Sequence, residues 1–306
     1  MSSNDIFYEP YSQYHSSGKE LVESHSQEDI IVVDDGTVKI DILAFEESKA
    51  KEIVLPDSLE KIEMHAFYNC ENLHKVVFGN GFIQIGNDAF VDCKCINEIV
   101  FPEDSSLIAN YIMSTEFTLS KYEQKDETFK SLEMLLDSTC TMCFTYNESA
   151  KKISEFLHSK IPAMTVKIVV GEKSIRIPKY ASSIMDKYST IAVLKTWIKT
   201  GTADKELFTL AGTKLSTIGS AMEMYVLDND KDARKYLKEK FLWITKYLSQ
   251  FPGNDAIIGY LDLGLLDKNE LQQILTEDIV KENVMATAYI LEQLNKKSAK
   301  KGLFGL

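Results

Sequence analysis

The chain predicts an α+β protein, a short repeat solenoid with a parallel sheet followed by an α-helical repeat domain. Three observations carry this. The phrase Ile-x-x-x-Ala-Phe occurs at Ile40 to Phe45, Ile62 to Phe67 and Ile85 to Phe90, and a period of 22 to 23 residues marks stacked coils. Each phrase is followed at a nearly constant interval by a short apolar run: Ile53-Val54-Leu55, Val76-Val77-Phe78 and Ile99-Val100-Phe101. From Ala181 onward, β-branched runs give way to a helical period.

Residues 1–30 are expected to be a polar N-terminal segment. They lack the basic start and apolar centre of a secretory signal, and no run of about eighteen apolar residues occurs. The expected location is the cytoplasm. At 306 residues with 44% apolar content the chain can bury a core in each of two modest domains.

Residues 31–105 form the predicted solenoid. Aligned on Ala-Phe, the copies put Ile40, Ile62 and Ile85 in one column, Cys70 and Cys93 in a second, and Leu73 and Ile96 in a third. A coil this small buries such columns only by stacking on its neighbours, and three coils are close to the minimum, so flanking segments must cover the ends. The pattern Ile-x-x-x-Ala-Phe-x-x-Cys-x-x-Leu-x-x-Val-x-Phe, read at Ile62 to Phe78, resembles the BspA-like leucine-rich repeats over roughly residues 37–102. Pro56 and Pro102 after the apolar runs, and Leu59 and Phe82 ahead of the next Ile, belong to the same pattern. The first copy has Ser48 in place of Cys and is one residue shorter, so its coil is expected to be distorted or to act as a cap. The resemblance implies a curved leucine-rich-repeat solenoid with a parallel sheet on one face, used for protein interaction or adhesion.

Alternation along each predicted strand points Ile53, Leu55, Val76, Phe78, Ile99 and Phe101 inward and leaves Glu52, Val54, Lys75, Val77, Glu98 and Val100 outward. These six are the candidate partner-binding residues. The column Glu52, Lys75, Glu98 alternates in sign, which also suits cross-strand stabilisation. Residues 1–105 hold 7 Lys, no Arg and 21 Asp or Glu, against 27 basic and 25 acidic residues in the remainder. An acidic repeat surface repels phosphate backbones and anionic lipid heads, so a basic or neutral protein is the expected partner, with no nucleic acid and no membrane.

Residues 106–178 are expected to be a closing α+β segment. Ile153, Phe156, Leu157 and Ile161 keep helical spacing, Lys121 to Lys130 read as a solvated loop or helix face, and Val166 to Val170, Gly171 to Ser174 and Ile175 to Ile177 read as a hairpin hiding the sheet's open end. Residues 179–297 form the predicted α-helical repeat domain, able to offer a second docking surface. Ala233, Leu237, Phe241, Ile244 and Leu248 predict one long amphipathic helix; Asp267 to Glu270 has the residue types of a capping box; the last helix shows its stripe at Val284, Ala288, Leu291 and Leu294. The stretch from Ala256 to Leu294 resembles degenerate ankyrin-type repeats, without their Thr-Pro-Leu-His motif. Residues 298–306 are a tail.

Asp228, Asp230, Asp232 and Glu239 occupy positions 1, 3, 5 and 12 of a calcium loop, but Ala233 stands where the loop needs Gly, and an acidic helix cap is preferred. Cys140 and Cys143 have zinc spacing without two further ligands nearby. There is no Walker loop, nucleophile elbow or His-Glu-x-x-His. The reading is a non-catalytic protein-interaction scaffold without a cofactor. The alternatives are a metal-responsive regulator using residues 228–239 or Cys140 and Cys143, and a fragment of a cell-surface adhesin.

Overall fold

A computed structural model of the chain describes residues 12–14, 18–80, 84–85, 89–90, 92–93, 95–102, 164–179, 184–203, 206–211, 213–251 and 254–302. The helical spacing at 153–161, the Cys140/Cys143 pair, the segment 121–130 and Phe82 lie outside the described residues. Two compact units are present: one runs through the repeats and on to Leu210, the other holds Met164 and the residues from Ala211.

The first unit is a β-solenoid whose short strands alternate between two sheets. One sheet contains β1 (Ser12–Tyr14), β2 (Glu20–Ser24), β4 (Lys39–Ile40), β6 (Lys61–Ile62) and β8 (Gln84–Ile85), in that order. The other has the order β11-β10-β9-β7-β5-β3, from β3 (Ile30–Val32), β5 (Glu52–Val54), β7 (Lys75–Val77), β9 (Glu98–Phe101), β10 (Thr165–Val170) and β11 (Lys173–Pro178). Pairing is parallel except at the two ends, where β1 on β2 and β10 on β11 are antiparallel. The hairpin read at 166–177 is therefore β10 and β11, and β10 continues the repeat sheet by pairing with β9.

Stacking puts each column of the repeat in register. Ile40, Ile62 and Ile85 are buried in one row. The rings of Phe45, Phe67 and Phe90 form a pile, with centroids 5.0 Å and 4.5 Å apart and planes within 7° and 3°. The cysteine column does more than fill space. Cys70 Sγ donates to the Phe45 carbonyl at 3.0 Å, and Cys93 Sγ donates to the Phe67 carbonyl at 2.9 Å, each reaching back to the preceding coil. Hydrogen bonding to Cys70, reinforced by burial, pushes the Cys93 thiol up, so it stays protonated and remains a donor.

Each coil turns through left-handed residues at fixed columns: Leu43 and His65 at φ 60° and 59°, then Glu47, Asn69 and Asp92 at φ 53°, 56° and 61°. This conformation is unfavourable for side chains other than Gly and Asn by about 1–2 kcal/mol. Coil-to-coil bonds offset it, among them Phe45 N–H to the Ala66 carbonyl at 2.7 Å and Phe67 N–H to the Ala89 carbonyl at 2.8 Å. The first Ile-x-x-x-Ala-Phe copy is not a cap, because β2 and β3 stack outside it. Its Ser48 is buried and its hydroxyl accepts from the Ala50 N–H at 3.3 Å. Helix α1 (Ile184–Thr200) contributes Leu194 and Trp197 to the solenoid core.

In the second unit, α2 (Lys214–Asp228) is capped by Thr213 and ends at Asn229 in the left-handed conformation. The single long helix expected from Ala233 to Leu248 is two, α3 (Lys231–Glu239) and α4 (Phe241–Leu248), broken at Lys240. The Leu237 carbonyl, which a continuous helix would offer to the Phe241 N–H, is bonded instead by the Tyr260 hydroxyl at 2.7 Å. Helices α5 (Asp255–Asp262), α6 (Lys268–Thr276) and α7 (Val284–Gly302) follow. The capping box is present at α6: Asp267 Oδ1 accepts from the Asn269 and Glu270 N–H groups, and Glu270 Oε2 accepts from the Asp267 N–H.

Of the stripe expected on the last helix, three of the four residues face solvent and Leu294 is half-buried. Val284 is 77% and Leu291 49% exposed and Ala288 is exposed too, whereas Ala286 and Ile290 are buried. Asn283 Oδ1 accepts from the Ala286 N–H and Thr287 Oγ1 donates to the Val280 carbonyl, which ties the start of the helix to the turn before it.

Candidate functional site

The outward residues of the six-stranded sheet are brought into two rows by the ladder register. One row reads Ile30, Glu52, Lys75, Glu98, Lys167, and the other reads Val32, Val54, Val77, Val100, Val169. All six sequence-derived residues lie in these rows, on β5, β7 and β9, and all six are half-buried. The residues between them, Ile53, Val76 and Ile99, are buried in the core. The alternation that assigns the two faces is the pleat of a strand with a core on one side only.

Lys75 Nζ lies 3.2 Å from Glu52 Oε1 and 3.9 Å from Glu98 Oε1. All three side chains keep a quarter to a third of their surface in solvent, so the cluster contributes at most about 1 kcal/mol. It orders the charged row without accounting for the valine row beside it. Five valines in register across five strands form an apolar ridge with the charged row alongside, a surface suited to another protein rather than to a small molecule.

Ile30, Val32, Lys167 and Val169 complete the two rows from outside the three repeats visible in the sequence. For β3 a signal was present: Ile30-Ile31-Val32 falls one period, 22 residues, ahead of Glu52-Ile53-Val54. The phrase Ile-x-x-x-Ala-Phe does not precede it. For β10 no periodic signal exists, because residues 103–164 intervene.

On the opposite sheet, Lys39 Nζ pairs with Asp41 at 2.8 Å and lies 3.6 Å from Glu63, and Lys61 pairs with Glu63 at 2.6 Å. The hydrogen bond to Asp41 holds the Lys39 ammonium above the usual lysine range. Ion pairs link neighbouring strands of this face among the described residues.

Residues 228–239 do not form the twelve-residue loop that calcium binding needs. From Lys231 onward they are helix, and Asp230 Oδ1 accepts from the Ala233 N–H at 2.7 Å as the N-cap of α3. Among the described residues no group of three or more His, Cys, Asp or Glu is arranged to hold a metal ion. No helix among the described residues is long and apolar enough to cross a membrane. In the second unit, Val284, Met285 and Leu291 on α7 form an exposed apolar strip.

A parallel-sheet solenoid with inward Ile, Phe and Cys columns and a regular outward face defines a leucine-rich-repeat architecture. Residues 23–143 match the family described as BspA type Leucine rich repeat region, in 6 copies. The repeat segment is therefore a BspA-type region, and it carries the repeat past Phe101, where the visible period stops, and ahead of Ile40, where it starts. The match over residues 23–143 suggests a role in protein–protein interaction or adhesion. The described helices lie outside the matched residues. Comparison with curated proteins and with solved structures returns no match.

Proposed function

We propose that this chain is a non-catalytic protein-interaction scaffold that holds its partner against the outward face of the six-stranded sheet. The partner contacts Glu52, Val54, Lys75, Val77, Glu98 and Val100, with Val32 and Val169 extending the row. The single supporting observation is the register-aligned valine row on a face that the repeat itself leaves without a core. An apolar ridge flanked by charges supplies burial at its centre and orientation at its rim. The acidic excess of the repeat half favours a basic or neutral protein partner, and the exposed strip of α7 offers a second contact.

Affinity capture from native lysate tests this, comparing the chain with the triple variant Val54→Asp, Val77→Asp and Val100→Asp. The variant is expected to keep its circular dichroism and melting curve and to lose its captured partner. Capture retained by a folded variant would remove this face from consideration. An adhesive role on a cell surface is the second reading and is favoured by the family alone; secretion of the untagged protein by its native cells would support it.

A further inference from the structure

The two edges of the six-stranded sheet are finished differently. At one end β11 carries Lys173, Arg176 and Pro178, residue types that guard an edge against a further strand. At the other end β3 presents Ile30 and Val32, 56% and 67% exposed. The bonds to β5 are made by Asp29, Ile31 and Val33: the Glu52 N–H donates to the Asp29 carbonyl at 3.0 Å, and the Val33 N–H donates to the Val54 carbonyl at 2.9 Å. Alternate residues of a strand bond opposite sides, so the N–H and C=O groups of Ile30 and Val32 point away from β5. Among the described residues no strand pairs with them.

The charges around this edge select its occupant. Glu28 and Asp29 precede β3 and Asp34 and Asp35 follow it, all four exposed. Antiparallel pairing with β3 of a second copy, centred on Ile31, would set Glu28 opposite Asp34, and parallel pairing would set each acid against its own kind. Like charges directly opposite are destabilising, so the edge is built against its own copy. A strand with a short apolar centre and basic ends meets neither obstacle.

We propose that β3 is a strand-addition site for an extended partner segment in which two or three β-forming residues are flanked by Lys or Arg. Main-chain hydrogen bonds to Ile30 and Val32 hold the segment, its apolar side chain extends the row begun by Val32, and its basic ends face Glu28, Asp34 and Asp35, Asp29 being paired with Lys51 at 2.8 Å. This goes beyond docking on the sheet's face and does not depend on it.

The test is fluorescence anisotropy of a labelled, end-capped peptide Lys-Lys-Val-Thr-Val-Lys-Lys titrated with the full chain at low ionic strength. Binding is expected, with a loss of about tenfold or more when both valine nitrogens of the peptide are methylated, since two main-chain bonds go with them. Val32→Pro removes an N–H that β5 does not use, and Ile30→Lys guards the edge without touching the backbone; each is expected to keep the melting curve and lose the peptide. Glu28→Gln with Asp35→Asn should weaken binding, and Val77→Asp with Val100→Asp, two and three strands away, should leave it intact. That last pair separates failure of this site from failure of the face. Equal binding by the methylated peptide, equal binding by Glu-Glu-Val-Thr-Val-Glu-Glu, or a dimer that Val32→Pro abolishes would overturn the proposal. Binding that appears only after removal of residues 1–11 would assign the edge to the chain's own start and overturn it as well.

Discussion

The phenyl pile offers a quantitative check on the stacking of the coils. Phe67 is fully buried and lies between two rings, whereas Phe45 stacks on Phe67 alone among the described aromatic pairs. An aromatic pair contributes about 0.5–1.5 kcal/mol beyond its buried area, and an apolar swap of similar volume costs roughly 1 kcal/mol. Phe67→Leu removes two pairs and should cost about 2–4 kcal/mol; Phe45→Leu removes one and should cost about 1.5–2.5 kcal/mol. The gap between them, about 0.5–1.5 kcal/mol, is the value of one stack. Urea unfolding followed by Trp197 fluorescence reads it, since Trp197 sits in the solenoid core and Trp243→Phe silences the other indole. A lowered midpoint with an unchanged slope reports stability rather than a changed unfolded state. Equal costs for the two variants, or a cost below about 1 kcal/mol for Phe67→Leu, would refute a pile whose members support one another.

Three further outcomes are expected. A Cβ on Gly79 would stand 2.5 Å from the Pro56 carbonyl carbon and 2.6 Å from the Asp57 nitrogen, both backbone atoms of the preceding coil, so Gly79→Ala should cost about 1–3 kcal/mol in the same assay; an unchanged midpoint would contradict this close approach. Asp267→Ala removes both acceptor bonds of the capping box and should cost about 0.5–2 kcal/mol, with Asp267→Asn recovering most of it, as read by Trp243 fluorescence during urea unfolding. Burial, and then the 2.5 Å hydrogen bond to Asp262, push the Tyr289 hydroxyl up to about 12 from 10.0. Its stabilisation is whole below pH 10 and is lost as pH rises through about 12; ultraviolet titration of the protein against Tyr289→Phe should show the missing phenol ionising above the ordinary tyrosine value of 10.0, and ionisation at that value would contradict the contact between α7 and α5.

The repeat was legible because its cause is local to each coil. Ile62, Phe67, Cys70 and Val76 each recur where a coil must place an apolar group inside, and alternation along three residues settles which side chains of Glu52-Ile53-Val54 face out. The capping box at Asp267 was legible for the same reason, since its donors and acceptors lie within four residues. The thiol bonds of Cys70 and Cys93 were not, because their acceptors sit in the preceding coil and a small buried side chain reads the same whether or not it donates.

What the amino-acid order alone determined is the coil: its period, its inward columns and the outward row on β5, β7 and β9. What only the tertiary structure decided is which segments join that stack and how the helices turn. Strand β3 enters without the Ala-Phe phrase, and β10 enters after a long interruption, because a sheet accepts any β-forming segment whose backbone groups meet its edge. Lys240 breaks a helix that periodicity would continue, since Tyr260 bonds the Leu237 carbonyl. Helix α7 turns Ala286 and Ile290 inward, since that is the face it packs in a unit where α5 and α6 are its neighbours. Periodicity reports what a residue needs from its immediate neighbours, whereas pairing, breakage and rotation are set by groups distant in the chain, and those groups meet only in the fold.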